Sequence, residues 1–376
     1  VRFMNTGSHI RTIGIWTSLS LALLSSGAVA NIIAPPYILS LAQNDAWLSV
    51  LAAVPAGLLW ATGAWYVVKR LDGRSLEAWL QQTLGSFLSW AFRLLAVLAL
   101  FLQASTTMWE TGHIAVRSYM ADMPLILIAG SMVLLCALSA MSGLRAIGLT
   151  SVILIPIAIV LDALLLMLNR PNQDYRQLFP VLQHGYAPML SGAGLALVSM
   201  MEIWTLICMQ QEVKGTFRWH HFAFSALFLA WLSLIPIISA ITVFGPVEAI
   251  RLRNPVLEIW RVVSLGKTIE HIDLFAIVQR ISSGFARISL EFYLMVRLLG
   301  FGTLKGRGWA MLAVSVSVLT IAVAPIPDMA VIRYMTSVQY PFFLAGGVLI
   351  VSFLAAVLGW TGSGNKGGKE KEAAES

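Results

Sequence analysis

Charged residues are sparse along this chain, and the gaps between them set out its organisation. Six stretches hold no Asp, Glu, Lys or Arg over 20 residues or more: 12–44, 46–68, 123–144, 219–247, 308–327 and 334–365. An apolar run of about 20 residues is what a helix needs to cross the hydrocarbon layer of a bilayer. Four further runs, 88–118, 149–168, 190–211 and 274–299, reach that length with isolated charges inside. The pattern predicts ten membrane-spanning helices. Trp47, Trp65, Tyr66, Trp90, Trp219, Trp309 and Trp360 fall near the predicted ends, where an interfacial aromatic belt belongs.

Composition strengthens this reading. A soluble domain carries about 25% charged residues; here 11% are charged and 58% hydrophobic, too few polar groups to wet a globule of 376 residues. Soluble, disordered, collagen-like, coiled-coil and disulfide-rich classes are excluded on that ground. The net charge of +7 is spread over the connections, so it points to loops held beside an anionic leaflet rather than to nucleic acid. Connections on one side carry fourteen Lys and Arg, those on the other eight, which places both termini in the cytoplasm. The first apolar run is too long for the core of a cleavable signal peptide. Cys136 and Cys208 lie in apolar stretches without ligand-like neighbours, which argues against a disulfide or a metal.

Between the spans, two short helices are expected. After Pro255, Val256, Ile259, Trp260 and Val263 recur at helical spacing, and residues 75–84 form a similar interfacial stretch. The chain therefore divides into a short cytoplasmic segment 1–11, a ten-helix domain 12–361, and a Gly-, Lys- and Glu-rich tail 362–376 expected to be disordered.

The first span is too long for one straight crossing, and it contains Ser25-Ser26-Gly27-Ala28 followed by Pro35-Pro36. Proline removes a backbone donor, and Gly and Ser tolerate irregular backbone. Such backbone survives at membrane depth only where it lines a cavity or packs in protein. If the ten helices form two inverted five-helix repeats, the counterpart of span one is span six. Span six carries Gly192 and Gly194 early and Ser199-Met200-Met201-Glu202 later. Charges inside a membrane are costly and face the bundle interior. They are Arg93, Glu110, Asp162, Glu202, Arg280, Arg287 and Glu291. Glu110 and Glu202 read as functional. Arg280, Arg287 and Glu291 share a helix face, with Arg287 and Glu291 spaced for an i, i+4 pair, and Arg93 and Asp162 read as snorkelling from span ends. No nucleophile elbow, zinc-protease, phosphate-loop or dinucleotide motif is present. No enzyme activity and no cofactor are expected.

Several of these residues also carry a family pattern. Asn44-Asp45-Ala46-Trp47-Leu48 follows span one, Thr83-Leu84-Gly85 precedes span three, and Glu110 stands ahead of Met123-Pro124. Glu202 lies in span six; Asn254-Pro255-Val256-Leu257, Ile269-Glu270-His271-Ile272-Asp273 and Ile288-Ser289-Leu290 follow. In these features the chain resembles the spore germination receptor B subunits (GerAB type) of endospore-forming bacteria, within the amino acid–polyamine–organocation transporter superfamily. The resemblance covers nearly all of residues 9–360. The chain departs from the pattern at His271, where relatives tend to have Arg, at Gln279, where they tend to have Trp, and at Met201, where a small residue is common.

The resemblance implies an all-α integral membrane protein, a transporter-like 5+5 inverted-repeat bundle with helices 1 and 6 broken. It implies residence in the inner spore membrane and action with an A-type and a lipoprotein C-type subunit as a sensor of nutrient germinants, commonly amino acids. An amino acid permease driven by protons or sodium is the alternative use of the same bundle. The expected ligand site lies between Ser26, Gly27 and Ala28 on span one and Ser199, Met201 and Glu202 on span six. Spans three and eight would close it through Thr107 or Glu110 and through Ser282 or Ser289. Half-helix ends offer amides to a carboxylate, and an acid receives an ammonium, so a zwitterionic amino acid suits the site.

Overall fold

The computed structural model describes residues 13–183, 185–263, 273–301 and 303–374, with side chains of the last helix described as far as residue 359. Among these residues, span one comprises α1 (Ile15–Gly27), a π-helical segment Ala28–Ile33 and α2 (Pro35–Ala42). Span two is α3 (Ala46–Leu71), and α4 (Leu76–Ser118) forms span three. Residues 76–84 of α4 are set off by a kink at Gly85, whose φ of 81° and ψ of 174° only glycine adopts readily. They make the short helix expected there. α5 (Leu125–Ser142) and α6 (Leu144–Asn169) complete the first half.

The second half opens with α7 (Tyr186–Met201), a 3-10 turn Glu202–Trp204 and α8 (Thr205–Met209), which together form span six. α9 (Trp219–Phe244) is span seven. The long connection holds α10 (Pro246–Ala249) and α11 (Pro255–Val262), and Trp260 of α11 is fully buried. The expected amphipathic helix is therefore docked into the bundle, against α6, α9 and α12 (Leu274–Leu298). α13 (Leu304–Val323), α14 (Asp328–Tyr334), a π-helical segment Met335–Gln339 and α15 (Tyr340–Ala374) finish the chain.

Nine of these helical stretches are long and apolar enough to cross a membrane. α12 has the length, 25 residues, but its charges keep it out of the nine; with it the spans number ten. Large apolar side chains such as Leu59, Leu127, Ile153, Trp309 and Leu349 project outward, as a bundle solvated by hydrocarbon requires. α12 lies at the centre, packed on α1, α4, α5 and α6. At one end of the bundle a two-residue parallel ladder, β1 (Ile13–Gly14) with β2 (Val213–Lys214), ties the entry of span one to the exit of span six.

Two expectations need correction. Gly27 is helical, with φ −60° and ψ −29°, and the irregularity begins one residue later. Pro35 and Pro36 lack the N–H groups that the carbonyls of Asn31 and Ile32 would take in an α-helix, and the chain widens into π pairing, the Ala34 N–H donating to the Val29 carbonyl at 2.8 Å. The break in span six falls at Glu202 itself, while Gly192 serves close packing: a Cβ there would stand 2.6 Å from Ser49 Oγ and 2.9 Å from Ala42 Cβ. The backbone of α15 is helical as far as Ala374. A helix already nucleated in the span propagates at little cost per residue. Segment 1–11 and His271 lie outside the described residues.

Candidate functional site

Where the two broken helices approach α4 and α12, the buried charges meet. Glu202, at the start of the 3-10 turn, receives a forked pair from Arg287 of α12, Nη1 to Oε2 at 2.9 Å and Nη2 to Oε1 at 3.1 Å. Gln103 of α4 donates its Nε2 to the same Oε1 at 2.9 Å. Arg287 Nε reaches Thr107 Oγ1 at 3.0 Å and Glu291 Oε1 at 3.1 Å, the i, i+4 pair expected on α12. Its Nη1 also donates to the Ser25 carbonyl of α1 at 3.4 Å. Glu202, Arg287 and Glu291 are at most 5% exposed. A planar guanidinium suits this crossing point, because it can address two carboxylates and two neutral oxygens at once.

The cluster is not fully satisfied. It holds two carboxylates against one guanidinium, and Glu291 Oε2 and Gln103 Oε1 are buried without a hydrogen-bond partner. What it lacks is a cationic donor. Beside Glu202 and Gln103 lies a largely apolar cavity of about 80 Å³, walled by Trp60, Phe92, Met201, Phe343 and Ile350.

One turn along α4, Glu110 belongs to a second cluster. It accepts from Arg253 Nη2 at 2.6 Å, Arg280 Nη2 at 3.3 Å and the Tyr37 hydroxyl at 3.1 Å. Arg253 reaches in from the long connection. Burial opposes its charge, but Glu110 and the Tyr37 oxygen outweigh that and raise its pKa above the ordinary arginine value. A third cluster closes the opposite end: Arg297 of α12 bonds Glu212 at 2.8 Å, the Cys208 carbonyl at 3.2 Å and Glu77 at 3.5 Å. Charged groups on α12 thus run through the bundle, each paired to a different neighbour.

The sequence-predicted site residues divide accordingly. Thr107 and Glu202 meet through Arg287, and Met201 walls the adjoining cavity. Ser199 is fully buried nearby on α7 with its hydroxyl unpartnered, and Ser26 is buried next to Ser25. Glu110 stands in the second cluster, apart from Glu202. Gly27 lines a small cavity with Asp162 and Leu232, on another side of span one. Ser282 borders a groove between α4 and α5, and Ser289 lies against Cys136 of α5. Both are seven residues apart on the α5 face of α12; one position further along, Ser283 faces inward. Asp162 does not snorkel: it is 1% exposed and bonded to Asn31 and Gln279. Sequence reasoning missed Gln103, Tyr37 and Arg253, and it placed Arg287 in an ion-pair network without finding Glu202 in it.

With the geometry in place, comparisons with known proteins set the family. The family model described as spore germination protein matches residues 12–329. The chain belongs to the spore germination protein family. Spore germination protein XB of Bacillus anthracis is 28% identical over 342 residues, covering 91% of this chain and 96% of that protein. Spore germination protein KB of Bacillus subtilis (strain 168) is 23% identical over 277 residues, covering 70% and 72%. Among solved structures, the crystal structure of MhsT in complex with L-phenylalanine superposes with a TM-score of 0.65 over 91% of this chain and 89% of that one, at 15% identity. This spore germination family member is an integral membrane protein with a transporter-like helical bundle, a permease and receptor type of architecture rather than an enzyme class.

Proposed function

We propose that this spore germination protein senses a nutrient germinant by admitting an amino acid to the Glu202–Arg287 cluster. The carrying observation is the buried forked pair at the break of span six, with two orphan acceptors beside it. A zwitterion matches both charges. Its carboxylate replaces Glu202 on Arg287, and its ammonium pairs with Glu202 and supplies the missing donor to Glu291 and Gln103. Thr107 bonds Arg287, Ser26 and Ser199 are assigned by the proposal to the same ligand, and Met201, Trp60 and Phe92 wall the cavity beside it. An apolar side chain is therefore the favoured class. MhsT, which shares the fold, is described in complex with an amino acid, in keeping with this reading.

Exchange of an internal ion pair for a ligand makes a switch only if the ligand prefers one arrangement of the bundle. The clusters at Glu110 and Arg297 hold spans one, three, six and eight together at the two ends. Rearrangement at Glu202 would pass to A-type and lipoprotein C-type partner subunits, with the protein in the inner spore membrane and both termini in the cytoplasm.

The test is germination against amino acid concentration in a strain lacking other receptors. Glu202→Gln, at normal protein level, is expected to shift the response at least tenfold toward higher concentration. An unchanged curve would refute the proposed site.

A further inference from the structure

α4 and α15 both line the apolar cavity beside Glu202 and Gln103, yet they scarcely touch each other. α15 packs on α3 and α7, and α4 on α12, α13 and α5. The gap between them makes the cavity a slot in the side of the bundle. One end is shut, where Gln339 Nε2 donates to Thr106 Oγ1 at 3.2 Å. From there the lining follows α15 from Phe342 to Leu354, about 18 Å of helix at 1.5 Å per residue. One leaflet holds about 15 Å of hydrocarbon, a similar depth. Small residues keep the slot open, Ala96 and Ala99 on α4 and Gly346 and Gly347 on α15. At its mouth Phe92 and Ile350 are half-buried and Leu95 is exposed, whereas Ala96, Ala99 and Gln103 behind them are buried.

Two arginines stand at the other end of the slot. On α3, Trp60 Nε1 donates to the Gly347 carbonyl at 3.2 Å, and a Cβ on Gly359 would lie 3.6 Å from the Tyr66 hydroxyl. This face of α3 therefore follows α15 toward the membrane surface. Arg70, one turn beyond Tyr66, donates Nε to that hydroxyl at 3.1 Å. Arg74 stands two residues before Leu76, which lines the slot, and its carbonyl accepts from Gln210 Nε2 at 3.0 Å. Both arginines are exposed, and neither has an acidic partner among the described residues. Asp72, between them in the turn, pairs with neither.

We infer that the slot holds an acyl chain of one anionic phospholipid, whose phosphate rests on Arg70 and Arg74. The walls are apolar apart from Gln103 and Glu202 at the inner end, and an apolar hollow does not hold water. Left empty, its lining forfeits the contacts that a filled space supplies. At this depth the molecule able to enter from the side is the lipid itself. A guanidinium takes two phosphate oxygens in a fork, and two unpaired guanidinia favour a headgroup of net negative charge over a zwitterionic one. Met201 and Glu202 bound the inner end, so the chain would contend for space with the side chain of a germinant. That consequence rests on the germinant reading; the lipid site does not.

The experiment places the full chain, without germinant, in phosphatidylcholine nanodiscs containing phosphatidylglycerol with a diazirine near the end of one acyl chain. After irradiation, adducts are mapped by mass spectrometry. Those on residues 92–103 and 342–354 should exceed those on the outward face of α5 at Leu127, Leu134 and Leu138. They should saturate, and unlabelled phosphatidylglycerol should displace them about tenfold better than phosphatidylcholine. Gly346→Leu probes the slot itself, since a Cβ there meets no atom within 4 Å and the side chain grows into free space. It should remove the slot adducts, leave those on α5, and not lower Tm. The double variant Arg70→Gln, Arg74→Gln should keep the slot adducts and lose the preference for phosphatidylglycerol. Slot adducts no denser than those on α5, or undiminished in Gly346→Leu, overturn the inference. Equal displacement by the two lipids in the wild type also overturns it, and that competition decides alone if Gly346→Leu fails to accumulate. None of these failures touches the germinant site, because no germinant is present.

Discussion

Replacing Arg287 by Met tests how the central cluster is held together. The substitution keeps an apolar stem and removes the cation that pairs with both Glu202 and Glu291, the only one against them among the described residues. Glu202 would then retain one neutral donor, Gln103, and Glu291 would retain none. Breaking a buried pair from one side costs roughly 3–5 kcal/mol, because a charge is left without compensation. At a few degrees or less per kcal/mol for a chain of this size, that predicts a fall in Tm on the order of 5–10 °C. Glu202→Gln should cost less, about 1–2 kcal/mol, since Arg287 keeps Glu291, Thr107 and the Ser25 carbonyl. The triple variant Arg287→Met, Glu202→Gln, Glu291→Gln leaves no charge in the cluster and should recover much of the loss. Thermal unfolding in nanodiscs supplies all three numbers. Equal losses for Arg287→Met and Glu202→Gln, or a triple variant no better than Arg287→Met, would show that compensation of charge is not what orders the cluster.

Gly27 makes a graded probe: a Cβ there stands 3.4 Å from Leu232 Cδ1, an ordinary contact. Gly27→Ala should therefore unfold at or slightly above the wild-type temperature, whereas Gly27→Leu overfills the cavity at a cost of roughly 1–3 kcal/mol, read by the same melts. Cys136 and Cys208 are free and buried, so a water-soluble maleimide should label neither in the native protein and both after denaturation, as mass spectrometry would show. Labelling of Cys136 in the native chain would contradict the packing of α5 on α12, and labelling of Cys208 the burial of α8.

Helix existence was legible because an apolar run of crossing length admits few other structures. Even α12, written with three arginines and a glutamate inside it, showed its polar face by spacing. Rotation about a helix axis was harder. Ser282, Ser283 and Ser289 are equally plausible as letters, yet one position turns a side chain by about 100°, and only packing against α4 and α5 decides which looks inward. Partners distant in sequence were invisible for the same reason: nothing near Glu202 announces Arg287, 85 positions on. The Ser-Ser-Gly-Ala run marked the right neighbourhood in span one, but the two prolines, acting backward on the carbonyls before them, set the break at Ala28–Ile33. Asp162 lies near enough to the end of α6 to pass for a snorkelling residue; its amide partners come from two other helices.

The charges of α12 bear on how the chain is made. An arginine at the centre of an isolated helix costs roughly 2.5–3.5 kcal/mol on insertion scales, so Arg280 and Arg287 oppose unaided entry of α12 into lipid. The acids that answer them, Glu110 and Glu202, lie in spans three and six and leave the ribosome first. By the time α12 is synthesised, its counter-charges already stand in the bilayer. Chain order thus lets a helix too polar to insert alone enter beside helices that complete it, and assembly of the central cluster becomes part of the insertion of span eight.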